Sequence, residues 1–236
     1  MTRIEMFAIV GALGTLVFPA LGVGLSGRYW AWANAWAQSG EPQLMCGPSA
    51  FNRAQIRLPF NPGDRLVIAL PGSVRYRPGD KGEAIVVGDA AVLDHVRLED
   101  GKLRLACEPG GFSPKLEIDL TGPAITEWEL TSSADLELRD ISQPELRVNI
   151  RGSGNVTAGG TVHAIGLKIY GSGNFKGRTL AAKSAEVEIR GSGNAQVAAE
   201  AIAGVSIDGS GNVKLFGNAK LSRSKVTGSG RISQVP

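Results

Sequence analysis

The chain has 236 residues, of which 43% are hydrophobic and 20% charged, and its formal net charge is +3. That is long enough for a sizeable core, and acids and bases are interspersed without a basic stripe, which argues against a nucleic-acid partner. Glycine is abundant, at 32 residues, and there are only two cysteines and two histidines.

Met1–Gly40 reads as a targeting segment. Arg3 precedes an apolar run over Met6–Leu25, and Ala35-Trp36-Ala37 supplies a small-x-small cleavage site. Residues 1–37 are therefore expected to be a cleaved signal peptide, with Gln38 as the new N-terminus. The alternative is a retained membrane anchor. The run approaches the ~20 residues a bilayer requires, and Tyr29, Trp30, Trp32 and Trp36 would suit an interface. Either reading exports the chain, to the periplasm or cell surface. Losing Arg3, Arg28 and Glu5 moves the formal charge from +3 to +2.

Residues 38–50 form a linker containing Cys46. Cys46 and Cys107 are a candidate disulfide in an exported chain, worth ~4 kcal/mol by loop-closure entropy. Leu44-Met45-Cys46-Gly47 lacks the small residue that a lipidation box needs before its cysteine.

Residues 51–236 read as one β-rich domain, irregular over 51–124 and regular over 125–236. Five short strands are predicted first, at 66–70, 84–87, 96–98, 103–105 and 116–120. Pro71-Gly72, Pro78-Gly79-Asp80, Asp100-Gly101 and Pro109-Gly110-Gly111 separate them, and Asp100-Gly101 is a hairpin signal. This part is expected to be either a cap on the following stack or a set of degenerate coils of it.

Then one word recurs. Gly-Ser-Gly-Asn begins at Gly152, Gly171, Gly191 and Gly209, with a variant at Gly228, so successive copies stand 19, 20, 18 and 19 residues apart. Trp128–Leu138 fits the same template, with Ser132 in the first-glycine place and Asp135 in the Asn place. Apolar residues alternate on both sides of each word: Val148 and Ile150 then Val156, Leu167 and Ile169 then Phe175, Val187 and Ile189 then Ala195, Val205 and Ile207 then Val213. Period-2 alternation around a glycine corner describes strand, corner, strand. One such unit cannot bury its own apolar face, so the fold class is all-β, a parallel β-solenoid of about 19-residue coils. Trp128 is expected to cap the upper end of the stack. Asn155, Asn174, Asn194 and Asn212 would line up ~4.8 Å apart as an amide ladder. In the last coil Ser222, Arg223, Ser224 and Lys225 interrupt the apolar pattern, which reads as a polar terminal coil, with self-association the alternative.

These residues resemble the family called putative auto-transporter adhesin, head GIN domain. The resemblance rests on the strand-corner units 146–156, 167–175, 187–195 and 205–213, together with Val86-Val87-Gly88-Asp89 and Asp100-Gly101-Lys102-Leu103, and it reaches from about Phe51 to the C-terminus. It implies a β-solenoid of parallel coils and a cell-envelope or surface location, and it brings no catalytic motif.

Candidate chemistry is sparse. Beside the corners the outward column Arg151, Tyr170, Arg190, Asp208 and Thr227 could grip a glycan. Glu186 and Glu188 share one outward face, and no acid faces them from Lys168 or Ser206. Asp94-His95 has no nucleophile beside it in sequence, and there is no Cys/His metal spacing and no phosphate loop. The expectation is therefore an exported, non-catalytic adhesion or scaffold module without a cofactor. Its candidate partners are an envelope polysaccharide or a surface protein, and it touches a membrane only if the N-terminal segment stays uncleaved. A glycan-binding module is the first alternative and a carbohydrate-active enzyme the second.

Overall fold

The structure, a computed structural model, describes residues 52–108 and 114–235. Along the regular part, strands β9 (Asp135–Gly152), β10 (Asn155–Gly171), β11 (Asn174–Gly191) and β12 (Asn194–Gly209) each run through almost a whole coil. β13 (Asn212–Phe216), β14 (Lys220–Thr227) and β15 (Arg231–Val235) complete the described stack. Every neighbouring pair is parallel. The chain is a parallel β-solenoid.

The register explains the repeat. Val148, Leu167, Val187 and Val205 stand directly over one another, as do Ile150, Ile169, Ile189 and Ile207. All eight are buried. Burying one such side chain is worth ~1.5–3 kcal/mol, so a coil's apolar residues repay the ordering of its backbone only when coils lie above and below. Side-chain volumes trade off between levels. The Phe175 ring occupies the space over Gly177, where a Cβ would collide with it, and Ala195 lies in register beneath Phe175. Each long strand also turns once more at mid-coil, where the register slips near Gly159 and Gly160. Gly160 has φ +130° and stands against Ile141, next to the positive-φ Asp140.

The irregular part contains both of the expected arrangements. β2 (Arg65–Ala69) and β8 (Glu127–Leu130) carry the stack onward in parallel on one side, with β3 (Ser73–Pro78) and β7 (Glu117–Gly122) on the other. Beyond them pairing turns antiparallel: β4 (Glu83–Asp89) on β7, β1 (Arg53–Pro59) on β4, and β5 (Val96–Glu99) on β6 (Lys102–Leu105). A short helix, α1 (Ala90–Leu93), is capped by Asp89, whose carboxylate accepts from the Ala91 N–H. Asp100 and Gly101 both have positive φ, the turn that the β5–β6 hairpin requires.

Two strands escaped the sequence reading, β1 and β3. Trp128 is corrected as well. It is fully buried in mid-stack, in register with Leu66 on one side and Val148 on the other, and its ring meets Tyr76 at 4.8 Å. Coils extend past it because β2 supplies the next level.

Candidate functional site

The outward column is continuous. Arg151 pairs in register with Tyr170, Tyr170 with Arg190, Arg190 with Asp208, and Asp208 with Thr227. Strand alternation turns these side chains to solvent, because their neighbours Ile150, Ile169, Ile189 and Ile207 point inward. The Arg190 guanidinium lies 5.4 Å from the Tyr170 ring centroid, a cation–π contact.

Both arginines of the column already have carboxylate partners. Arg190 bonds Glu188 at 2.7 Å, and Arg151 Nε is 3.3 Å from Glu129 Oε1. Glu129, 5% exposed, is the one buried charged side chain among the described residues, and Arg65 from β2 grips its other oxygen. Sequence reasoning passed over Glu129. Strand alternation makes its position on β8 outward, and no spacing in the sequence records that Arg65 and Arg151 close on it from the neighbouring levels. Below Arg190 a concavity of about 210 Å³ is lined by Glu188, Arg190, Ser206, Asp208, Lys225 and Thr227. Its polar, mixed-charge lining can exchange hydrogen bonds with hydroxyl groups. Glu186 is also engaged, with Arg223 at 3.0 Å.

On the other side of the corners stands the asparagine column. Asn155 Nδ2 donates to Asp135 Oδ1 at 2.9 Å, Asn174 to Asn155 at 2.9 Å, Asn194 to Asn174 at 3.0 Å, and Asn212 to Asn194 at 2.9 Å. The direction has a cause. Asp135 only accepts, so Asn155 must present its amide nitrogen upward and its oxygen downward, and the next amide repeats the choice. Backbone N–H groups of Asn194 and Asn212 donate to the oxygen above as well. The corners themselves are tied by paired backbone bonds, such as Ser172 and Gly173 N–H to the Gly152 carbonyl, both at 3.0 Å.

Cys107 is 9% exposed and follows β6, whereas its candidate partner Cys46 lies outside the described residues. The signal segment 1–37 lies outside them too. Among the described residues no helix is long and apolar enough to cross a membrane, and no three His, Cys, Asp or Glu side chains gather as a metal site.

The model of the family described as putative auto-transporter adhesin, head GIN domain, matches residues 64–219. No curated protein matches the chain significantly. A putative adhesin from Bacteroides fragilis NCTC 9343 is similar in structure, with a TM-score of 0.63 and 17% identity, over 81% of this chain and 100% of that one. A putative adhesin from Parabacteroides distasonis ATCC 8503 gives a TM-score of 0.49 and 16% identity, over 81% and 99%. A putative lipid binding protein from the same strain gives 0.47 and 19%, over 78% and 97%. At 17% identity, the likeness to the Bacteroides fragilis protein is one of fold.

Proposed function

The chain belongs to the putative auto-transporter adhesin, head GIN domain family, and from that membership we propose that it is an exported, non-catalytic β-solenoid serving as an adhesion or scaffold module of the cell envelope. The observation that carries the proposal is the division of labour within each coil. Inward residues and corner backbone maintain the stack, while the outward positions are left free to carry recognition. Glu129, Glu186 and Glu188 beside the outward column are each engaged by arginine, which leaves Asp208 of the column as the one carboxylate there without an ion pair among the described residues.

The test is location and attachment. The tagged full chain should fractionate with the envelope, be cut by protease added to intact cells, and raise cell attachment to a coated surface relative to a deletion strain. A cytosolic, protease-protected chain would overturn the proposal. A second reading, glycan recognition by Arg151, Tyr170, Arg190 and Asp208, is favoured by the Arg190–Tyr170 contact beside the polar concavity. It predicts that Tyr170→Ala/Arg190→Ala abolishes glycan binding while leaving the fold intact.

The proposal includes a Cys46–Cys107 bridge, consistent with export. Intact mass after alkylation without reductant should show no modified cysteine, and two after reduction. Labelling of both cysteines before reduction would exclude the bridge.

A further inference from the structure

The two long faces of the lower coils differ in charge. In the six residues leading into each corner, Lys168, Arg190, Arg223 and Lys225 are offset by Glu186, Glu188 and Asp208. In the five residues leaving each corner, from Asn155 onward, stand Lys176, Arg178, Lys214 and Arg231 and no acid at all. None of these four cations forms an ion pair among the described residues, whereas Arg190 and Arg223 do.

Register gathers them on one surface. Lys176, Gln196, Lys214 and Ser233 form a single outward column. Beside it Arg178 reaches past Ala198 to lie 4.9 Å from the Phe216 ring centroid, and the Lys214 ammonium is 5.2 Å from the same centroid. On the other flank runs the asparagine ladder, ending opposite Arg231. The ladder's polarity adds a separate observation. Each Nδ2 carries two hydrogens and donates one up the ladder, so a second N–H remains at every level, while the oxygens of Asn155, Asn174 and Asn194 are used internally. Below Thr157 this face carries N–H donors and positive charge beside the acceptor oxygens of Gln196, Asn212 and Ser233, and above Thr157 the same column continues to Glu137.

We propose that this face, and not the Tyr170 column, binds an anionic polysaccharide whose carboxylates lie among hydroxyl-rich sugar rings, laid along the stacking axis. The spacing selects that class. Lys176 and Lys214 are two coils apart, ~9.6 Å at the usual strand separation, with the Gln196 amide between them. A single nucleic-acid strand is gripped through a basic groove lined with several stacking aromatics. Here one aromatic stands, already flanked by two cations. A polyuronate carries one carboxylate on each hydroxyl-bearing ring, so Lys176 and Lys214 can meet carboxylates on separate rings while the Gln196 amide meets hydroxyls between them. The inference rests on the chain being a surface module, and it names the ligand class of that module.

The test uses the full chain as the producing cell processes it, with polygalacturonate, neutral dextran and a single-stranded oligonucleotide as probes. Polygalacturonate should bind, more weakly as salt rises because exposed charges are screened, and dextran should not. Lys176→Gln/Lys214→Gln should weaken binding about tenfold, equivalent to ~1.4 kcal/mol. Lys168→Gln, an exposed change on the opposite face, should leave it unchanged. All these side chains point outward, and far-UV circular dichroism checks that each variant stays folded. Absent binding by folded protein, equal binding by the lysine variant, loss in the opposite-face variant, or tighter binding of the oligonucleotide would each overturn the assignment. Protease accessibility on intact cells separates the two levels. A surface-exposed chain that ignores polygalacturonate refutes the face alone, and a chain inside the cell refutes the module reading as well.

Discussion

Gly191 has φ +129°, and a Cβ built there would overlap the Gly171 carbonyl oxygen. That oxygen accepts from Ser192 and Gly193 N–H groups, so an added methyl meets backbone that cannot move without breaking the corner. Gly191→Ala is expected to cost about 3 kcal/mol or more, from disfavoured φ plus the clash. Urea denaturation would measure it, and a cost below ~1 kcal/mol would mean the corners yield more than the register suggests. Tyr76 makes a second prediction. It is 1% exposed, and burial pushes its hydroxyl up to about 12, against a smaller lowering influence from backbone hydrogen bonding. A raised folded value means that the contribution is fully present below pH ~10 and is lost as pH rises towards 12, because the unfolded state ionises first. Stability should fall by ~2 kcal/mol across that window, at ~1.4 kcal/mol per unit. Tyr76→Phe should flatten this alkaline decline, and an unchanged pH profile in the variant would refute the assignment.

Among the elements, the difference between β9–β12 and the strands before them explains which parts of the fold were legible. A repeated word fixes a phase, and from Val148 onward each inward residue follows from its distance to a corner. β1 and β3 have no such word. Their alternations, Ala54-Ile56-Leu58 and Val74-Tyr76, were present but short and interleaved with arginine and proline. What positions β3 is pairing with β7 and β9, two partners far away in sequence. One side-chain device joins the two regimes. Arg65 on β2, Glu129 on β8 and Arg151 on β9 bridge three successive levels through one carboxylate. Glu129→Gln removes the shared charge and leaves both guanidiniums without it. The expected loss is about 1–2 kcal/mol, between the values for exposed and buried pairs because the arginines are half in water. A double-mutant cycle with Arg65→Gln should show coupling, and additivity would count against the clamp.

The regular coils of β9–β15 behave as a one-dimensional stack, since each coil pairs mainly with its neighbours. Excising residues 155–173 joins Gly154 to Asn174, recreates the corner word and removes one coil. The shortened chain should fold, with a β spectrum like the parent's and a length reduced by ~4.8 Å in solution scattering. Excising half as many residues should give insoluble protein, because inward and outward positions would no longer stack in phase. If both deletions folded equally well, register would not be what specifies the stack. At this scale the lower coils also separate charge by face, and that separation is where we place ligand recognition.

From the sequence alone came the coil length, the corner positions, the parallel stacking and the inward residues, because stacking in register demands that each coil repeat the last. The candidate column Arg151-Tyr170-Arg190-Asp208 was legible for the same reason. Only the tertiary structure decided how far the stack continues past Trp128 and where pairing turns antiparallel, since those depend on partners distant in the chain. It also decided which charges are spent. Arg151 and Arg190 are paired with Glu129 and Glu188, while Lys176 and Lys214 form no ion pair among the described residues. Such pairing depends on side-chain reach across levels, and no one-dimensional spacing records it.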